Sequence, residues 1–315
     1  MPRPRPVLGT MTFGDTVDRE TAATMLDLVR EAGVTELDTA NGYAGGATET
    51  MLGELLRTRR DAFAVATKAG MPHPDAGDAP PLSAPALRAC LTGSLRRLGL
   101  DRVDLFYLHQ PDPATPLSET VEALAALVGE GLVGRIGVSN FAAWQIAELR
   151  HLFAEAGLPG PDVAQQMYNL LARRVEEEYA AFAAAAGVET IVYNPLGGGL
   201  LSGRYHFDAD PGEGRFGTSR LSPMYRERYW QPRLFDAVAA LSAVAAEAGL
   251  TLPDLALRWL VSRPITDAVL VGASRVDHLR ANLDALARGP LPDDVVLRCA
   301  EVGHDLRGPM PAYHR

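Results

Sequence analysis

The chain has a single lysine, Lys68, among 30 basic residues, so the other 29 are arginine. A lysine that persists under such a bias marks a place where arginine cannot serve. An ammonium can shift its pKa and take part in acid–base chemistry, whereas a guanidinium stays charged. Lys68 ends the run Phe63-Ala64-Val65-Ala66-Thr67-Lys68, a short apolar segment of strand type. Other polar residues close apolar runs in the same way: Asp38, His109, Ser139-Asn140, Gln165, Tyr193 and Ser274-Arg275, with Tyr43 just beyond Asp38. A tyrosine, whose ordinary pKa is about 10, donates a proton poorly at neutral pH unless tuned. An ammonium beside it favours the phenolate and lowers that pKa. Asp38 then pairs with Lys68 and holds it charged, while His109 hydrogen-bonds the substrate oxygen and narrows the mouth. This set delivers a proton to a carbonyl oxygen as a hydride reaches its carbon, and hydride chemistry needs a cofactor. No metal-ligand spacing, G-x-S-x-G or Walker sequence competes with this reading. Cys90 and Cys299 read as two buried or inert thiols.

The elements that position these groups follow from a repeated pattern, a short apolar run and then a longer amphipathic stretch. The amphipathic stretches are residues 20–32, 49–57, 84–98, 117–131, 142–156, 175–186, 234–248 with 255–262, and 276–287. Eight such units predict a parallel sheet closed into a single (β/α)8 TIM barrel of one domain, residues 1–315, of class α/β. A doubly wound sheet is set aside, because Gly42, Gly45 and Gly46 do not form G-x-G-x-x-G. In a barrel the strands' C-terminal ends share one mouth, which is where the polar residues fall. The segment from Arg204 to Trp230, after strand 7, has no counterpart in the other units and reads as a lid or binding loop, followed at the end of the chain by a C-terminal tail.

Composition excludes several function classes. The 39 acidic side chains against 30 basic ones give a net charge of −9, which argues against nucleic acid as a partner. A mean hydropathy of −0.02 and the lack of an 18-residue apolar run predict no membrane span. The N-terminal MPRPRP is followed by no apolar stretch of secretory type, so the expected location is cytoplasmic.

Successive segments resemble the signatures of the aldo-keto reductases, in family order over nearly the whole chain. They are Leu37-Asp38-Thr39-Ala40 with Tyr43, Ala66-Thr67-Lys68, Leu108-His109, Gly137-Val138-Ser139-Asn140-Phe141 and Asn194-Pro195-Leu196-Gly197-Gly198-Gly199-Leu200-Leu201-Ser202-Gly203. The resemblance implies NADPH-dependent reduction of carbonyls by a tetrad of Asp38, Tyr43, Lys68 and His109, with Tyr43 the general acid. Val103–His109, Ala142-Ala143-Trp144, Gln166-Met167-Tyr168-Asn169, Gly214-Arg215-Phe216 and Met224–Trp230 are similar to the aflatoxin aldehyde reductase branch, which includes succinic semialdehyde reductases. Carried over, Ser139, Asn140 and Gln165 hold the carboxamide, and Tyr193 stacks on the nicotinamide. Asn194, Pro195, Leu196, Gly198, Leu200, Gly203 and Arg204 wrap the pyrophosphate, with Arg215 nearby. Gly272, Ser274, Arg275, His278 and Asn282 serve the adenine side, where Arg275 can pair with a 2′-phosphate. His278 and Ala281 depart from the family pattern there, while Asn282 keeps it.

Substrate contacts are expected from Met11, Tyr43, His109, Tyr225, Arg228 and the terminal Arg315, favouring a carboxylate or dicarbonyl. Gly42 and Gly45-Gly46 leave a roomier mouth, and the Pro-rich Met71–Pro81 loop has no assignment. The resemblance also suggests a homodimer. Two other readings stand beside the general reductase: a tailoring ketoreductase for a sugar or natural product, and an NADPH-binding regulatory protein like the potassium-channel β subunits. Those subunits usually have Asn where this chain has His109.

Overall fold

A computed structural model describes residues 3–307. Its first half runs β1 (Arg5–Gly9), α1 (Arg19–Glu31), β2 (Glu36–Asp38), α2 (Ala47–Leu56), β3 (Ala64–Ala69), α3 (Ala84–Leu98), β4 (Val103–Leu108) and α4 (Leu117–Gly129). The second half runs β5 (Val133–Ser139), α5 (Ala143–Glu155), β6 (Val163–Met167), α6 (Tyr179–Ala186), β7 (Glu189–Tyr193), α7 (Ser222–Tyr229), α8 (Pro232–Glu247), α9 (Leu252–Val261), β8 (Ala268–Val271), α10 (Val276–Ala287) and α11 (Asp293–Arg307). The eight strands close in chain order into a parallel barrel, β8 returning to β1. The expected (β/α)8 architecture is what the chain adopts.

Local chemistry sets the element ends. Asp18 caps α1 by accepting from the Thr21 N–H at 2.8 Å, and Thr251 caps α9 by accepting from Asp254 at 3.2 Å. Gly99 closes α3 in the left-handed conformation that glycine adopts without steric cost. Alternation along each strand sends one face outward to the helices and the other inward. Val7, Ala66, Leu105, Tyr107, Val163, Ile191 and Ala268 fill the barrel interior as a packed plug. Lys68, Tyr107 and Gly137 lie side by side across β3, β4 and β5. A Cβ on Gly137 would come within 2.6 Å of the Tyr107 ring, so the glycine makes room for it. At the N-terminal end Arg5 bonds both Glu36 and Glu189, and Arg135 reaches Glu189 at 3.0 Å. These charges close the end of the barrel opposite the mouth.

Three features differ from the sequence reading. The stretch 175–186 is a short turn, Arg174–Glu176, and then α6, because Glu176 is drawn onto Arg173 at 2.9 Å and Arg307 at 3.1 Å. The lid contains a helix, α7, and its aromatics form a cluster in which Tyr205, Phe216 and Trp230 pack edge-on or tilted at 5.0–6.0 Å. The eight units also omit α11, which packs against α8. Among the described residues no single helix is long and apolar enough to cross a membrane.

Candidate active site

Asp38 ends β2, Lys68 lies near the end of β3 and His109 follows β4, so three neighbouring strands aim them at the same mouth. Tyr43 enters from the turn between β2 and α2. Lys68 Nζ donates to Asp38 Oδ1, to the Thr39 carbonyl at 2.9 Å and to the Tyr43 hydroxyl at 3.3 Å. That uses all three donors of an ammonium, radiating from one atom as a planar guanidinium cannot. The Lys68 side chain is 0% exposed and that of Asp38 is 2% exposed, so the pair is desolvated. Burial pulls the lysine pKa down, but Asp38 and then Tyr43 outweigh it, and Lys68 stays charged, above its ordinary value.

Tyr43 departs from expectation. Burial pushes its pKa above the ordinary phenol value, and the nearby Lys68 charge pulls against that without reversing it. Desolvation of the phenolate therefore wins in this geometry, and the resting tyrosine is neutral, with a proton to give. Burial first and the Lys68 charge second hold His109 down at about 3, so its imidazole is neutral. Its ring stands edge-on to Tyr43 with centroids 6.1 Å apart, and its buried Nδ1 has no partner among the described residues.

A second group adjoins the first. Gln165 Nε2 donates to Asp38 Oδ2 at 2.8 Å. Asn140, left-handed at φ +63, donates to the His109 carbonyl at 2.9 Å and to Ser139 Oγ at 3.1 Å. The Tyr193 hydroxyl donates to Asn140 Oδ1 at 2.6 Å, and burial pushes its pKa up to about 12. Ser139, Asn140, Gln165 and Tyr193 thus come together beside Asp38 and His109.

After β7, Asn194 (φ +60) leads through Pro195 and Leu196 into Gly197, Gly198 and Gly199, all left-handed at φ +56, +70 and +101. The N–H groups of this turn are bonded within it, Gly197 to the Asn194 carbonyl at 3.0 Å and Gly199 to the Leu196 carbonyl at 2.9 Å. Asn194 shapes it, accepting from the Gly198 N–H at 2.7 Å and donating to the Tyr229 hydroxyl at 2.8 Å. A Cβ on Gly198 would meet Tyr225 at 2.6 Å. Leu200 is buried beneath the turn, and Gly203 ends it at φ +75. Arg204 is exposed, its guanidinium over the Tyr205 ring at 4.5 Å.

On the lid, Arg215 donates to the hydroxyl of buried Tyr225 and lies 5.1 Å over its ring. Arg228 is exposed, and its charge acts on Tyr193. Met11 is half-buried just past β1. Beyond β8, Gly272 packs so close that a Cβ would meet the Gly9 carbonyl at 2.9 Å. Ser274, Arg275 and His278 are exposed at the start of α10, with no side-chain hydrogen bond among the described residues, whereas Asn282 is buried. Arg315 lies outside the described residues.

Sequence reasoning misses Tyr229 and Asn169, which together hold Asn194: Asn169 donates to the Tyr229 hydroxyl at 3.0 Å and to the Asn194 carbonyl at 2.9 Å. Both stand in segments singled out for resemblance, but nothing local marks them as a pair. Gly45 and Gly46, expected to widen the mouth, take φ +63 and +94 and serve the turn that carries Tyr43. The unassigned Met71–Pro81 loop delivers Asp75, which accepts from Arg97 at 2.8 Å.

Residues 7–304 match the sequence profile of the Aldo/keto reductase family. Similar proteins include rat aflatoxin B1 aldehyde reductase member 2 (Rattus norvegicus), 37% identical over 99% of this chain and 88% of its own length. Human aldo-keto reductase family 7 member A3 (Homo sapiens) is 36% identical over 99% of this chain and 98% of its own. A probable voltage-gated potassium channel subunit beta from Arabidopsis thaliana is 33% identical over 91% of this chain and 88% of its own.

Proposed function

The chain belongs to the aldo/keto reductase family and is an oxidoreductase, and from that premise we propose that it reduces aldehydes or ketones to alcohols with NADPH, Tyr43 giving the proton. The observation that carries this is the Tyr43 hydroxyl, 3.3 Å from a buried charged lysine and beside a neutral histidine.

The residues present fit the cofactor. The left-handed turn at Gly197–Gly199 leaves the backbone after β7 without side chains, so a pyrophosphate can approach it closely. Ser139, Asn140 and Gln165 supply amide and hydroxyl groups for a carboxamide, and Tyr193 supplies a flat ring beside them. Arg275 caps α10, where a basic side chain and a helix N-terminus both favour a phosphate. When bound, NADPH supplies the hydride that reaches the carbonyl carbon. His109, neutral, hydrogen-bonds the carbonyl oxygen and orients it toward Tyr43. The Tyr43 O–H bond breaks and its proton passes to that oxygen, so the product is a neutral alcohol. The phenolate left behind is stabilised by Lys68, whose charge is preorganised by Asp38 and the Thr39 carbonyl. Solvent then restores the proton.

Arg228, exposed on the lid, suits a carboxylate-bearing or dicarbonyl substrate, since arginine binds carboxylates through paired donors. The likeness to a channel β subunit supports a sensor as the second reading, and a tailoring ketoreductase would use the same chemistry on a narrower substrate. The test is NADPH oxidation by purified protein with succinic semialdehyde, a neutral aromatic aldehyde and a dicarbonyl side by side, with Tyr43→Phe as control. Turnover that disappears in Tyr43→Phe supports the reductase, and a preference for succinic semialdehyde that Arg228→Ala abolishes supports carboxylate recognition. Tight NADPH binding without turnover of any of them overturns the general reductase in favour of a sensor or narrow tailoring enzyme.

A further inference from the structure

The turn that carries Tyr43 is held in an unfavourable shape. Ala44, Gly45 and Gly46 follow one another at φ +46, +63 and +94, and an alanine seldom takes the first of these. Such a conformation persists only where the surroundings over-determine it. On its upstream side the turn is tied to β3 by backbone bonds, Thr39 N–H to the Ala66 carbonyl at 2.9 Å and Asn41 N–H to the Lys68 carbonyl at 3.2 Å. Among the described residues, its downstream side has no backbone bond to β3. Thr48 Oγ1 anchors that side to the Phe13 carbonyl at 2.6 Å, and what ties it to β3 is a buried cluster of side chains.

Glu49, in the first turn of α2, is 0% exposed. One of its oxygens accepts from Thr67 Oγ1 at 2.6 Å and the other from Arg97 Nε at 2.8 Å. Thr67 precedes Lys68 and, by strand alternation, faces the helices while Lys68 faces the mouth. Arg97 comes from the end of α3, and its second arm donates to Asp75 at 2.8 Å. Its stem lies against the turn, for a Cβ on Gly46 would be 3.1 Å from Arg97 Cδ. A Cβ on Gly93 would sit 2.0 Å from the Asp75 carboxylate, so that residue too is a glycine where the cluster leaves no room. One guanidinium therefore braces the turn directly, through Gly46, and indirectly, through Glu49 and Thr67, against the strand that carries Lys68.

The geometry points to Arg97 as a positioning residue for Tyr43: with Glu49 and Thr67 it forms a clamp behind the mouth that sets the distance between the Tyr43 hydroxyl and Lys68. This rests on Tyr43 being the proton donor. The clamp touches neither substrate nor the reacting atoms, so its loss slows proton donation and leaves NADPH binding intact. Lysine cannot replace it, because a point charge on a flexible stem does not bridge Glu49 and Asp75 at fixed spacing.

The test compares the full-length protein with Arg97→Lys and with Thr67→Val, which removes one bond to Glu49 and keeps the side-chain shape. Amide exchange read by mass spectrometry, without cofactor, follows peptides covering residues 39–50. Kinetics give kcat, the NADPH dissociation constant and the solvent deuterium isotope effect on kcat, each normalised to the fraction that binds NADPH. The expected result is faster exchange confined to that segment in both variants. For Arg97→Lys kcat falls about tenfold, NADPH affinity stays within twofold and the solvent isotope effect rises; Thr67→Val moves the same way by about threefold. Unchanged exchange in both variants overturns the clamp, as does a fall in kcat with the isotope effect unaltered. Should Arg97→Lys not fold, Thr67→Val decides alone. A wild-type protein inactive on every carbonyl overturns the reductase reading and leaves the exchange result to judge the clamp.

Discussion

Replacing Lys68 with methionine keeps most of the side-chain volume and removes one charge from a fully buried pair. The lost bonds are those to Asp38, to the Thr39 carbonyl at 2.9 Å and to the Tyr43 hydroxyl at 3.3 Å. Asp38, its side chain only 2% exposed, keeps the Gln165 donor at 2.8 Å and loses its counter-charge. Breaking a buried ion pair from one side costs about 3–5 kcal/mol, because the remaining charge stays desolvated. For a chain of this size that is a fall in Tm on the order of 10 °C. Adding Asp38→Asn removes the stranded charge, so the double variant is more stable than Lys68→Met alone at pH 8. Turnover falls by about 100-fold or more in both, since Tyr43 loses the ammonium that stabilises its phenolate. The assay is thermal or urea unfolding of cofactor-free protein at pH 8. A Lys68→Met variant as stable as wild type, or a double variant that loses the sum of the two single losses, refutes the desolvation argument.

Three other perturbations follow from the geometry. Gly137→Ala places a Cβ 2.6 Å from the Tyr107 ring, which is buried beside Lys68; overpacking of this kind costs about 1–3 kcal/mol, read as a lower unfolding midpoint. Gly198→Ala combines φ +70 with a clash of 2.6 Å against Tyr225; NADPH affinity, measured by fluorescence titration, falls by about tenfold, equivalent to about 1.4 kcal/mol, while the fold is retained. His109, held at about 3 rather than its ordinary 6.5, stays neutral through the working range. The pH profile of kcat/KM between 5 and 8 therefore carries no ionisation of His109, and a limb near 6.5 that vanishes in His109→Asn would count against that assignment.

Much of the fold is legible because the barrel repeats one local rule. Apolar runs that alternate with amphipathic stretches locate every strand, and the limits of α3 and α10 coincide with the periodic segments 84–98 and 276–287. The helix α7 is harder to see, because Ser222-Pro223-Met224-Tyr225-Arg226-Glu227-Arg228-Tyr229 has little apolar periodicity. Its buried aromatics, Tyr225 and Tyr229, answer to Arg215 and Asn169, partners outside the helix. The turn at Arg174–Glu176 breaks a plausible helix for a similar reason, since Glu176 is held by Arg307 at the other end of the chain. Glu49 and Arg97 carry no mark in the local sequence, and it is the packing of α2 against α3 that brings them together.

By itself the sequence determined which chemical groups the barrel mouth receives. A lone lysine at a strand end, an aspartate and a histidine at neighbouring ends and a tyrosine in the next turn are properties of residue type and strand period. The tertiary structure alone decided the electrostatic outcome. Whether Lys68 pulls Tyr43 below the ordinary phenol value, or burial holds it above, depends on the balance of a charge at hydrogen-bonding distance against the water excluded around it. Both quantities are set by contacts between elements remote in the chain, and strand period carries no information about either.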